Sequence, residues 1–251
     1  MKSSQRLQAI QSVLALRGRV SVIELAEQYD VAQETIRRDL LKLEKSGIIQ
    51  KIHGGAISVQ YKTEQTLAAR FTQDIPQKHA LAEIAANLIP PGSTLFIDFG
   101  TTTNIFAEHI KHLSDITVFT NSHLIASTLS ENSNCEVYVL GGRYDDKIKA
   151  NMGTMIVENI NRYMADFAVI GVGAVDVTNG FSDQNIDEAT VARNMIRRSR
   201  ETIILVDPSK FNRNGVAHVA DFSQIDYFVS SEMPDAELCA MLEQNGVKLK
   251  V

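Results

Sequence analysis

Residues 32–56 read AQETIRRDLLKLEKSGIIQKIHGGA. With Ile36 set at zero and about 100° per residue, Leu40, Leu43 and Gly47 fall within roughly 40° of it. Glu34, Arg38, Leu41, Lys42 and Lys45 fall on the far side, and Arg37 on the flank. The spacing predicts a helix with one face packed on neighbours and the other presenting cations.

Upstream, Leu7, Ile10, Val13 and Leu14 keep helical spacing, so Ser4 to Leu16 reads as a first helix ended by Gly18. Ser21 with Glu24 three residues on is a capping box that opens a second. Asp30-Val31 makes a tight turn into the third. Three short helices with that turn match a helix-turn-helix, whose last helix fits a major groove roughly 12 Å wide. Gln33, Thr35, Arg37 and Arg38 are the candidates for base or phosphate contact, and Lys42 and Lys45 for phosphate or plain solvation.

Cations on the outer face of an amphipathic helix are usually only solvated. The next residues tilt the balance. IIQKIHGGAI (48–57) alternates apolar and polar around Gly54-Gly55, as a two-stranded hairpin does. A hairpin directly after the third helix is a wing, and it offers Lys51 and His53 to a phosphate backbone or minor groove; His53 has an equal alternative as a plain exposed hairpin residue.

The charge distribution agrees. Residues 1–60 hold nine Lys/Arg and six Asp/Glu, whereas residues 61–251 hold 16 and 24, for a net −5. A basic head on an acidic body is the asymmetry of a nucleic-acid-binding head. Cys135 and Cys239 are the only cysteines and sit in no paired motif, which argues against a disulfide framework or zinc site. No apolar run approaches the ~18 residues of a membrane helix, and MKSSQRLQAIQ lacks a secretory core. A cytoplasmic protein is expected.

TIRRDLLKLEKSGIIQKIHGGA (35–56) closely resembles the N-terminal signature of the DeoR family of bacterial transcriptional regulators. That resemblance implies a winged helix-turn-helix joined to a sugar-phosphate-sensing domain. The family commonly carries Ser after the turn valine; this chain has Ala32. Alanine offers no side-chain acceptor to the helix start, at a cost of ~1 kcal/mol.

The rest of the chain alternates strand and helix. Strands are expected at 93–98, 116–120, 136–140, 167–172, 202–206, YFVSS (227–231) and 247–251. Helices are expected at 78–88, 104–111, 123–129, 153–160, 187–199 and 235–244. Such alternation means a parallel sheet covered on both faces. The expected fold class is α/β: a winged helix-turn-helix over 1–57, a linker over 58–75, and a doubly wound, largely parallel sensor domain over 76–251.

In such sheets ligands bind beyond the carboxyl ends of the strands. Asp98, Gly100, Thr101, Thr102 and Thr103 follow the first strand and open a helix, where hydroxyls and free N–H groups suit a phosphate. Asn121 and Ser122 end the next strand, Gly141 and Gly142 the third, Asp176 the fourth, and Lys210 follows the fifth. Each alone has a bland alternative: a helix cap, a turn, a surface lysine. Five polar strand ends on one rim point to an anionic small molecule. No GxxxxGK[ST] and no GxGxxG in a strand–helix unit occurs, so nucleotide sites are not indicated.

The family's sensor domains are similar to sugar-phosphate isomerases. The matching segments are DFGTTT (98–103), TNS (120–122), LGG (140–142), GVGAVD (171–176), Glu188 in IDEA and LVDPSKF (205–211). The resemblance implies that the GTTT loop holds the phosphate and that Asp98, Asn121, Glu188 and Lys210 meet the sugar end or position the loops. Glu188 has an alternative as a first-turn carboxylate favoured by the helix dipole.

The expectation is therefore a repressor released from operator DNA by a phosphorylated sugar, acting as a homo-oligomer, with no cofactor, metal or enzymatic activity. A sugar-phosphate isomerase or deaminase, with Glu188, Asp176 and Lys210 as acid–base groups, is the alternative. A purely protein-binding scaffold is the third, and it predicts no salt-sensitive DNA affinity.

Overall fold

The computed structural model describes residues 3–17, 19–46, 48–52, 54–58, 67–131 and 134–251. They fall into two units, Met1–Gln65 and Thr66–Val251.

The first unit is built from α1 (Ser3–Arg17), β1 (Arg19–Ser21), α2 (Val22–Gln28), α3 (Gln33–Lys45), β2 (Ile49–Ile52) and β3 (Gly55–Ser58). Ile10, Leu14, Leu25, Ile36, Leu40, Leu43 and Ile49 form its core, so the apolar stripe of α3 packs inward as its periodicity requires. Ser21 caps α2, but its Oγ accepts from Ile23 N–H at 3.2 Å, one residue short of the N3 position that a capping box uses. Asp30 takes a left-handed φ of 49° in the turn before α3. Ala32 is the N-cap of α3 and makes no side-chain cap bond, as its methyl dictates.

The hairpin is part of a three-stranded antiparallel sheet, ordered β1-β3-β2. The short β1 was absent from the sequence reading. It pairs Val20 with Ala56 and Ser21 with Gly55. The two glycines do different work. Gly54 has φ +81°, the left-handed turn conformation. At Gly55 a Cβ would stand 2.0 Å from Val20 O, so only glycine lets β3 close onto β1.

The second unit carries β4 (Thr94–Ile97), β5 (Ile116–Thr120), β6 (Cys135–Val139), β7 (Arg143–Asp145), β8 (Ala150–Met152) and β9 (Ala165–Gly171). It continues with β10 (Ala174–Asp176), β11 (Gly180–Asp183), β12 (Ser199–Leu205), β13 (Ala217–Ala220), β14 (Tyr227–Val229) and β15 (Lys248–Lys250). Seven of these form one sheet in the order β15-β14-β12-β9-β4-β5-β6, and every pairing in it is parallel.

Both faces are buried, which explains the near-continuous apolar runs. Phe96, Ala168, Ile170, Ile204 and Phe228 join one core cluster. Their strand neighbours Leu95, Ile97, Val169, Ile203, Leu205 and Val229 join the other, under the helices Ile75–Ala86 and Thr101–Ile110. The chain winds outward from β4 through β5 to β6, then returns to place β9 on the opposite side of β4. The β4–β9 seam is thus the topological switch point, where doubly wound sheets open a crevice.

Two antiparallel additions were not anticipated: the β7–β8 pair and a small β10-β11-β13 sheet. The stretch read as linker contains a helix, Leu67–Phe71, and the next helix begins at Ile75.

Candidate functional site

On α3 the outer face carries Gln33, Glu34, Arg37, Arg38, Lys42 and Lys45, all exposed, with Thr35 half-buried at the edge. Glu34 sits among the cations, 3.6 Å from Arg37 and 3.7 Å from Arg38. Such exposed pairs contribute about 0.3–0.5 kcal/mol, too little to hold the guanidinium groups against a phosphate. Arg37 also donates to Gln33 Oε1 at 3.4 Å. Lys51 is exposed on β2, and its backbone N–H donates to Glu44 Oε1 at 3.2 Å, tying the wing to the end of α3. His53 lies outside the described residues. Asp39 was not singled out from sequence, yet it is buried and bonded to Arg6.

The second candidate site lies at the rim of the parallel sheet. Gly100 (φ 152°) is the N-cap of the helix Thr101–Ile110, and no side chain caps that end. Its first amides are therefore open to an anion. Thr101 and Thr103 are buried, and Thr103 Oγ1 donates to Gly100 O at 3.1 Å, which fixes the turn. Thr102 is the partly open member of the three.

Asp98 and Asn121 meet. Asp98 Oδ1 accepts Phe99 N–H at 2.8 Å and Asn121 Oδ1 accepts it at 3.1 Å. Burial pushes the Asp98 carboxyl well above its ordinary range. The Phe99 amide, the Asn121 side chain and Arg70 oppose the rise, while Asp183 adds to it.

Asn121 is held in turn by Asn151, whose N–H donates to Asn121 O at 2.8 Å. Asn151 Nδ2 donates to Leu140 O at 2.9 Å, and its Oδ1 lies 3.0 Å from His123 Nε2. This one residue of β8 ties together the chain segments that follow β5 and β6. Sequence reasoning missed it, because the stretch that carries it has no alternation or motif.

Several predicted residues have visible local tasks. Ser122 caps the helix His123–Leu129 by accepting Ile125 N–H at 3.3 Å. Gly142 lies where a Cβ would stand 2.8 Å from Met152 O, while Gly141 is exposed. The Asp176 carboxylate closes the β10–β11 turn on Thr178 N–H and Asn179 N–H at 2.8 and 2.9 Å. Glu188 is buried in the first turn of the helix Ile186–Arg197.

Lys210 ends a short 3-10 turn after β12 that Asp207 caps. Burial lowers its pKa; Asp207 and Asp183 oppose that, and Arg70 and Arg213 reinforce it. Arg70, Lys78, Arg213, Asp183 and Asp207 thus join the electrostatics of this rim, and none was assigned from sequence. Among the described residues no group of three or more His, Cys, Asp or Glu is placed to hold a metal ion. Among them, too, no helix is long and apolar enough to cross a membrane.

Comparison with known proteins covers both units. The DeoR-like helix-turn-helix domain profile matches residues 6–62, and the DeoR C-terminal sensor domain profile matches 73–232. The HTH-type transcriptional repressor GlcR of Bacillus subtilis is 31% identical over all of this chain and 97% of its own length. The glycerol-3-phosphate regulon repressor of Escherichia coli is 29% identical over the whole of both chains. That of Haemophilus influenzae is 32% identical over 97% of this chain and 95% of its own. Among solved structures, ribose 5-phosphate isomerase A of Methanocaldococcus jannaschii aligns over 53% of each chain at 18% identity, with a TM-score of 0.40.

Proposed function

The chain belongs to the DeoR family of transcriptional regulators, and from that premise we propose that it represses a carbohydrate-utilisation operon and leaves its operator when a phosphorylated sugar or related metabolite binds. It is a regulator and not an enzyme; the relatives at 29–32% identity along the whole chain carry repressor names.

The observation that carries the DNA half is the outer face of α3. Arg37, Arg38, Lys42 and Lys45 are exposed there while Ile36, Leu40 and Leu43 anchor the helix. A helix so presented enters a major groove with its first turns against base edges. Gln33, Thr35, Arg37 and Arg38 are assigned to bases or nearby phosphates, and Lys42, Lys51 and His53 to the backbone around them.

The effector half rests on the switch point. The uncapped helix start at Gly100–Thr103 supplies amides and hydroxyls for the phosphate. Asp98, Asn121, Ser122, Gly141, Gly142, Asp176, Glu188 and Lys210 are assigned to the sugar end or to holding the loops around it. The working division is a head over 1–57, a linker over 58–75 and a sensor over 76–251.

Helix-turn-helix heads read paired half-sites, so the protein acts as a homo-oligomer joined through its sensor units, in the cytoplasm. The effector works only by preferring one arrangement of heads over another. A hundredfold release corresponds to roughly 3 kcal/mol of coupling.

The test is fluorescence anisotropy of the full chain on DNA from upstream of its own and neighbouring genes. It is run across salt and with a panel of sugar phosphates and the matching free sugars. Salt-sensitive, sequence-selective binding released by one phosphorylated sugar is the expected result. Selective binding that every sugar phosphate leaves untouched would overturn the effector half, and absence of selective binding the DNA half.

A further inference from the structure

Asn151 is only 7% exposed, yet it turns its side-chain amide to an exposed neighbour, His123. Asn151 Nδ2 donates to Leu140 O at 2.9 Å, so Oδ1 is the end that faces His123, 3.0 Å from Nε2. A carbonyl oxygen accepts and cannot donate, on Leu140 as on Asn151. The two bonds together put the proton of the neutral His123 ring on Nε2 and leave Nδ1 a bare acceptor. Among the described residues Nδ1 has no hydrogen-bond partner.

The ring is held from other sides too. Tyr144 of β7 meets it edge-on, with ring centroids 4.8 Å apart and planes at 66°. The His123 backbone N–H donates to Lys149 O at 3.0 Å, and Ser122 bridges Ala150, which fastens the β7–β8 hairpin to the segment after β5. Holding a surface side chain in one orientation costs about 1 kcal/mol of rotamer freedom. Here a buried amide and a hairpin set both the orientation and the tautomer in advance, which is how a binding group is preorganised.

His123 is joined to the phosphate turn. Asn121 Oδ1 accepts Phe99 N–H at 3.1 Å, and Phe99 is the residue before Gly100. Asn151 N–H donates to Asn121 O at 2.8 Å, and Asn121 Nδ2 donates to Asn151 O at 3.4 Å. Hydrogen bonds thus run without a break from the GTTT turn through Asn121 and Asn151 to the imidazole. The strands behind them, β4 and β5, are neighbours in the sheet, so their ends lie about 4.8 Å apart.

The chemistry at His123 differs from that at the turn. A phosphate group carries acceptor oxygens, and a bare Nδ1 gives them nothing. It suits a hydroxyl donor. Tyr144, 45% exposed, sets an apolar ring beside it. An aromatic surface with one placed acceptor matches a polyhydroxy chain, which has C–H faces to cover and hydroxyl protons to give.

We propose that His123 and Tyr144 take the hydroxylated end of the effector: His123 Nδ1 accepts a hydroxyl, and the Tyr144 ring covers a C–H face. Asn151 is the positioning residue that keeps Nδ1 free of its proton. This rests on the reading of the strand-end rim as the effector site, with the phosphate at the GTTT turn.

The test uses the full chain, with inorganic phosphate and a panel of pentose and hexose phosphates as probes. Nitrogen-15 NMR of labelled histidine is recorded at about pH 8, where an ordinary imidazole is neutral. His123, assigned by its loss in His123→Phe, should be the Nε2–H tautomer. Its Nδ1 resonance should move with a sugar phosphate and not with inorganic phosphate. Asn151→Ala should return the ring to a mixture of tautomers. His123→Phe keeps a ring against Tyr144 but has no acceptor. By calorimetry, its preference for that sugar phosphate over inorganic phosphate should fall about threefold to tenfold, the scale of one net hydrogen bond.

If His123→Phe keeps the wild-type preference while Thr101→Ala/Thr102→Ala loses phosphate and sugar phosphate alike, the anion turn stands and the role of His123 is overturned. An Nδ1–H ring in wild type, or an Nδ1 resonance that no member of the panel moves, overturns it without any variant. If neither phosphate nor any sugar phosphate binds, the rim reading fails, and this inference with it.

Discussion

Arg6 Nε donates to Asp39 Oδ2 at 2.6 Å, with side-chain exposures of 8% and 2%. The pair joins α1 to α3 from inside the DNA-binding head. Asp39 is one residue before Leu40 in the core stripe, so its carboxylate is carried inward and needs a cation there. Lys42 approaches the other oxygen at 3.8 Å from the surface. The pair orients the helix whose opposite face carries Arg37 and Arg38.

Removing one partner of such a pair leaves a buried charge without compensation, at ~3–5 kcal/mol. Asp39→Ala should destabilise the head by about that amount. Hydrogen exchange across α1 and α3 of the full chain reads it, with the sensor unit as an internal control. The double variant Arg6→Met/Asp39→Leu should recover most of the loss, because well-packed apolar side chains of similar volume replace buried pairs at little cost. Exchange in Asp39→Ala as slow as in wild type would show that the pair does not hold α3.

Arg37→Ala and Arg38→Ala act on the opposite face. Both are exposed, 53% and 75% at the side chain, and each is paired only loosely to Glu34. Neither change should move stability by more than about 0.5 kcal/mol. Each should weaken operator binding. An arginine that touches only phosphate also reduces the salt slope by about one, whereas one that reads a base relaxes selectivity at that base. Anisotropy across salt and across operator variants separates the two roles. Unchanged affinity in both variants would remove α3 from the interface.

Gly55 is a tighter backbone approach than Gly54, the other described glycine of the head. A methyl there would sit 2.0 Å from Val20 O, against backbone that cannot yield as a side chain does. Gly55→Ala should separate β3 from β1, lower head stability by more than 2 kcal/mol and weaken DNA binding through a misplaced wing. Gly54→Ala adds no contact but strains φ +81°, so it should cost only about 1 kcal/mol. Thermal unfolding followed at the head reads both, and equal costs would refute the assignment.

These elements differ in how far the sequence betrays them. The helix α3 was legible because its burial repeats with helical period over thirteen residues. The seven-stranded sheet was legible because parallel strands buried on both faces read as apolar runs. The strand β1 was not, since three residues are too few to show alternation, and its pairing depends on Gly55 far along the chain. RYD in β7 and ANM in β8 are three residues each, too short for an alternation to show.

The rim shows the same divide. Strand ends rich in Gly, Thr, Asn and Asp announce themselves, and Asp98 and Asn121 do meet across one amide. Asn151 does not announce itself, since it enters from a segment that reads as loop. Ser122, Gly142 and Asp176 have turn, cap and packing tasks that residue type alone cannot tell from ligand contact.

Thr101→Ala with Thr102→Ala tests the phosphate loop through its consequence for DNA. The amides of the Thr101–Ile110 helix remain in the variant, but two hydroxyls at its start are lost. Operator affinity without effector should stay within about twofold of wild type, while release by the cognate sugar phosphate should fall at least tenfold, the scale of one or two hydrogen bonds to a charged group. Release that persists at wild-type concentrations of the sugar phosphate would place the phosphate elsewhere.

Asp98 gives the sensor unit a defined response to pH. Its carboxyl is raised well above its ordinary 3.8, first by burial and then by Asp183. In the window between 3.8 and the raised value the folded state holds a proton that the unfolded chain has released. Stability from this group is therefore fully present below about 3.8 and declines as pH rises through the folded value. Asp98→Asn carries no titratable proton and no charge to bury. Urea unfolding of the sensor unit across pH should show a flatter profile for the variant, with its gain over wild type growing as pH rises through the window and constant above it. Parallel profiles for the two proteins would mean that Asp98 ionises in the folded state as easily as in the unfolded chain, and that burial does not govern this carboxyl.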